Sequence, residues 1–87
     1  MSYYLLIAAE SEKKRKQLLN TSADAKDRAA IKHLTVYWLC DPRFLPLITN
    51  GRVSWKDTLA AFERGDFEEC PADEQQILRE ACKLALA

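Results

Sequence analysis

The chain has 87 residues, 48% hydrophobic and 30% charged, with 13 basic and 13 acidic side chains and a formal net charge of zero. That composition is globular rather than disordered, the length supports one modest core, and a neutral molecule has no global field drawing it to nucleic acid. Only two glycines and three prolines occur, which argues against a many-turned β fold and for helices with short connections.

The first predicted element is a helix from Ser2 or Tyr3 to Leu19, with Asn20 as its stop. Apolar residues occupy its ends, YYLLIAA at 3 to 9 and Leu18-Leu19, around a polar middle from 10 to 17. Two tyrosines and an isoleucine also suit a short strand, but a lone strand has no ladder partner, and helix is favoured. The run is too short to span a bilayer, and its basic residues follow rather than precede it. It is therefore read as neither a signal peptide nor a membrane segment, and no membrane partner is expected.

The second predicted helix is capped by Thr21 or Ser22, carries Asp24 in its first turn and runs through VYWLC (Val36–Cys40) to the stop at Asp41-Pro42. Ala30, Leu34 and Tyr37 mark one apolar edge with Ile31 and Trp38 beside it, while Arg28, Lys32 and Thr35 take the wet side. VYWLC has no polar face, so it should be buried all round or sit at an interface. Residues 43 to 52 read as a connection holding at most two helical turns. Phe44, Leu45, Leu47 and Ile48 plug the core there, and Asn50-Gly51 forms a plain turn because its flanks do not alternate.

A third helix is expected from Ser54, its hydroxyl capping near Asp57, with Trp55, Leu59 and Phe62 at i, i+4 and i+7 as a core stripe. Gly65 ends it in a left-handed conformation. The last helix starts at Pro71, with Asp73 and Glu74 following and Leu78, Ala81, Cys82 and Ala85 as its seam. The fold class expected is all-α: one helical domain over residues 1 to 87, a compact bundle of four helices with a short fifth as the alternative.

Charge is distributed unevenly along this neutral chain. Residues 1 to 52 hold nine basic and five acidic side chains (9 − 5 = +4), and residues 53 to 87 hold four and eight (4 − 8 = −4). Cys40, Cys70 and Cys82 make an odd set without close pairs, read as reduced thiols of a cytoplasmic protein. His33 is the one histidine. Cys40 lies seven residues on, about 10 Å along a helix and out of contact. His33 with the three cysteines lacks the close ligand pairs of a zinc motif, and two isolated glycines do not build a phosphate loop. No catalytic residue, metal or cofactor is expected, and the protein is read as non-enzymatic.

The function expected is a protein-interaction module of adaptor or inhibitor type, of a size compatible with an accessory gene on a phage or plasmid, and a candidate homodimer. Its candidate contact residues are Tyr3, Tyr4, Tyr37 and Phe67, taken as exposed aromatic anchors, with Glu68 and Glu69 in an acidic strip. The alternative is a nucleic-acid-associated regulator using Lys13, Lys14, Arg15, Lys16, Lys26, Arg28 and Lys32 as a phosphate-binding surface. A helix-turn-helix reader made of the last two helices is disfavoured, because Asp73 and Glu74 would meet phosphate first.

Overall fold

The computed structural model describes the backbone of residues 3 to 87 and the side chains of residues 9 to 87. Among the described residues it contains five α-helices: α1 (Tyr3–Thr21), α2 (Ala25–His33), α3 (Val36–Cys40), α4 (Trp55–Arg64) and α5 (Ala72–Leu86). Between α3 and α4 lie a 3₁₀ turn (Leu45–Leu47) and an antiparallel hairpin of β1 (Ile48–Thr49) and β2 (Arg52–Val53). The radius of gyration, 12.5 Å, matches the value of about 12 Å for a compact chain of this length. The chain is thus the mostly helical bundle expected from its sequence, and residues 3 to 9 are helical.

The fifth helix arises by division of the second, not from the connection. The backbone leaves the helical region at Leu34 and Thr35, whose ψ angles are 140° and 170°. Leu34 is thereby buried. The Thr35 hydroxyl donates to Glu74 Oε2 at 2.6 Å, and Trp38 Nε1 donates to the Glu74 carbonyl at 2.6 Å. These contacts across to α5 hold the break open, and a threonine expected on the wet side becomes the hinge between α2 and α3. Glu74, expected as an acidic residue in the first turn of the last helix, turns half inward to meet it.

Three local expectations are corrected. Asp24, not Thr21 or Ser22, caps α2, its side chain accepting from Lys26 N at 3.0 Å. Thr21 is still part of α1, and its hydroxyl bonds to the carbonyls of Leu18 and Gly51. Ser54 makes no side-chain cap to α4; its carbonyl instead accepts from Thr58 N and, at 2.8 Å, from Thr58 Oγ1. Asn50-Gly51 is a hairpin turn after all, with φ of 54° and 73°, the two left-handed residues of a type I′ connection. Alternation fails as a guide here because each strand is only two residues long.

The core is centred on Trp38, fully buried and met edge-on by Tyr37, Phe44 and Phe67 at centroid distances of 5.0, 6.2 and 5.3 Å. α5 supplies Leu78, Ala81 and Cys82 and makes its most extensive contact with α2. Trp55 and Ala61 bring in α4, and Leu18 brings in α1. VYWLC is only partly enclosed: Trp38 and Leu39 are buried, but Val36 faces solvent.

Candidate functional site

Of the basic residues, the four consecutive ones on α1 do not share a face. Neighbours on a helix are about 100° apart, so Lys13 and Lys16 point to solvent while Lys14 and Arg15 flank the buried side marked by Ser11 and Leu18. Arg15 Nη1 donates to the carbonyls of Ile31 and Lys32 at 3.0 and 3.1 Å, closing the C-terminal end of α2. Arg28 Nη1 on α2 reaches the carbonyls of Leu19 at 2.6 Å and Ser22 at 3.4 Å, closing the C-terminal end of α1. The two arginines cap one another's helices. Lys26 Nζ donates to the carbonyl of Ala87, and Lys32 is exposed.

The candidate protein-contact residues separate in a different way. Tyr3 and Tyr4 lie outside the described side chains. Phe67, expected to be exposed, is 1% exposed and wedged between Trp38 and Phe62. The reason is the end of α4. Gly65 N bonds to the Phe62 carbonyl and Asp66 N to the Ala61 carbonyl, a Schellman closure that folds the following residues back over the last turn. Glu68 and Glu69 remain exposed beside it.

Tyr37 is half-buried and belongs to the densest polar cluster described. Arg43 Nη2 donates to the Tyr37 hydroxyl at 2.8 Å and to Asp41 Oδ2 at 2.9 Å, while Arg43 Nε and N both donate to Asp41 Oδ1. Burial alone would raise the Asp41 carboxyl, but the Arg43 hydrogen bonds outweigh it and hold the carboxyl below its ordinary range. Contact with the Cys70 side chain, burial and the Asp41 carboxylate push the Tyr37 hydroxyl up to about 12. At neutral pH the cluster therefore holds an ionised carboxylate, a cation and a neutral phenol, each in its resting charge state. It ties α3 to the residues that follow it.

His33 and Cys40 face different helices. Cys40 Sγ lies 2.8 Å from Ser11 Oγ on α1, and His33 Nε2 lies 3.6 Å from Glu80 Oε2 on α5. Cys82 is buried against Leu78 and Ala81, and burial raises its thiol to about 11 against the pull of Arg79. Among the described residues no three His, Cys, Asp or Glu side chains converge on a metal-sized site.

What the sequence reading missed is the C-terminal end of α5. At about 100° per residue, the apolar arc of this helix is wider than its neighbours cover, leaving Leu84 on the α2 side and Leu86 on the α4 side, each 42% exposed. Leu86 walls a groove of about 580 Å³ between α4 and α5, lined by Leu59, Arg79, Cys82, Lys83, Leu86 and Ala87. A second hollow of about 440 Å³ lies beside Leu84, between His33, Glu80 and Lys83. The signal for both was the sequence CKLAL at 82 to 86, whose two outer leucines cannot both face one seam. Comparison with known protein families, curated proteins and solved structures returns no match.

Proposed function

We propose that this protein is a non-enzymatic interaction module that acts by binding another protein, as an adaptor or inhibitor. The observation that supports this reading is the apolar end of α5. Two large leucines stand out of the bundle beside a groove, where burial by a partner would remove apolar surface from water at about 25 cal/mol per Å². Nothing in the fold requires either leucine to be exposed, since both lie in the last turns of α5, where a polar residue would keep the helix. The test is side-by-side affinity capture from the source cell with the intact chain, Leu84→Glu and Leu86→Glu, each checked for unchanged helical circular dichroism. A protein retained by the intact chain and lost by the variants is expected. Retention of the same proteins by all three would move the contact away from the end of α5, and retention of none by the intact chain would overturn the reading.

The second reading, a nucleic-acid-associated regulator, draws support from exposed Lys13, Lys16, Lys26 and Lys32. With Arg15 and Arg28 engaged at helix ends, it relies on lysines spread over two helices. Titration with duplex and single-stranded nucleic acid at low and high salt decides it, since phosphate neutralisation must give a salt slope.

A further inference from the structure

The groove between α4 and α5 has a chemistry more specific than apolarity. Its floor is Leu59 from α4 with Cys82 and Leu86 from α5, and its basic rim is Arg79 and Lys83. Neither rim cation has a carboxylate within ion-pair distance among the described residues. The Arg79 guanidinium instead lies 4.8 Å from the centre of the Phe62 ring, a cation–π contact. Glu80, three residues before Lys83 on the helix, lies toward His33 on α2, beside the second hollow that Lys83 also borders. The Ala87 carbonyl is taken by Lys26 Nζ.

Spacing adds a second constraint. Cys82 and Leu86 are four residues apart on α5, and so are Arg79 and Lys83. Both the apolar floor and the cationic rim therefore repeat at about 6 Å along one axis. An occupant that meets both must carry apolar anchors and anionic groups with that same repeat in parallel rows. An α-helix with leucine-type residues at i and i+4 and carboxylates at i and i+4 on the adjoining edge does so. An extended strand also repeats at about 6.6 Å on each face, but its two rows point to opposite sides and cannot meet floor and rim together.

We propose that this groove binds an acidic amphipathic helix of a partner protein, its apolar edge on Leu59 and Leu86 and its carboxylates on Arg79 and Lys83. The proposal rests on the interaction-module reading and names the partner's chemistry. Arg79 supplies a planar fork for a carboxylate, and Lys83 supplies a point charge one turn on.

The experiment selects from a displayed library of random 16-residue peptides on the full-length chain, and in parallel on the R79E/K83E double variant and on L86E. The expected result is enrichment, on the intact chain, of peptides with Asp or Glu four apart beside Leu, Ile or Phe at helical spacing. Such peptides should bind the double variant at least about tenfold more weakly and lose affinity with salt. The double variant should select basic peptides instead. If the selected peptides require Leu86 but carry no acidic bias, the partner class proposed here is wrong and the docking reading stands. If no selected peptide is sensitive to L86E, both are wrong. Two further outcomes overturn the proposal: Leu86-dependent self-association, seen as a doubled molar mass of the chain alone, and Leu86-dependent binding to vesicles of equal phosphatidylcholine and phosphatidylserine.

Discussion

At the scale of single residues, Gly65 closes α4 with φ of 84°, the turn that lets its own N–H and that of Asp66 make the two bonds of the Schellman motif. A Cβ built there would lie 2.8 Å from Glu68 Oε1. The Glu68 side chain is exposed and can swing away, so the penalty for a side chain at this position is in the backbone. Gly65→Ala is expected to lower the unfolding free energy by about 1–2 kcal/mol, the cost of a left-handed L-residue. Gly65→Asn should cost less, since asparagine tolerates that region. Urea denaturation checks this, and adding Glu68→Ala separates the two causes. If the double variant recovers the loss, the clash with Glu68 was the cause and the backbone argument fails. Phe67 depends on the same closure, because the glycine turns it back onto Phe62 and Trp38.

At the scale of elements, the reciprocal capping of α1 and α2 gives the basic residues a role that charge counting cannot assign. The last carbonyls of a helix lack intrahelical donors, and an arginine there adds charge-assisted bonds at the negative end of the dipole. Arg15→Met and Arg28→Met keep the aliphatic stem and remove the donors. Each is expected to cost about 1–2 kcal/mol, whereas Glu12→Ala, which removes an exposed pair 3.3 Å from Arg15, should be nearly neutral. Thermal unfolding of the three variants tests this, and equal, negligible shifts for all of them would show that the arginines are solvated. Local signals made α4 and α5 legible in the sequence: Gly65 ends α4, Pro71 precedes α5, and Trp55 and Phe62 face the core, although Leu59 lies in the groove instead. The break at Leu34 and Thr35 was not legible, because its cause, Glu74, lies 39 residues from Thr35 in the chain. The groove was hidden for the same kind of reason. It is made by Leu59 and Leu86 meeting across two helices, a juxtaposition no periodicity within one helix records.

At the scale of the whole molecule, titrating groups that join separate elements set the pH range over which the bundle is stable. Asp41 and Arg43 lie between α3 and the 3₁₀ turn, Tyr37 on α3 accepts from Arg43, and Cys82 is in the core. The folded-state pKa of Asp41 is depressed, so its contribution is present above the unfolded value of about 3.9. It is lost as pH falls through the lower folded value. Cys82 and Tyr37 are raised, to about 11 and about 12. Their contributions are complete below the unfolded values of about 8.5 and about 10 and are lost as pH rises through the folded ones. Stability should therefore be level from about pH 5 to 8 and fall on both sides. The alkaline fall should come in two stages, the first from the thiol and the second from the phenol. Guanidinium denaturation midpoints measured across pH, for the intact chain, Cys82→Ala and Tyr37→Phe, resolve them. Cys82→Ala should be less stable at neutral pH from the lost packing, yet flatter up to about pH 10. Tyr37→Phe should keep the first stage and lose the second. A two-stage fall that persists unchanged in both variants would mean that other groups govern the alkaline limit, and that the Tyr37, Asp41 and Arg43 cluster does not depend on a neutral phenol.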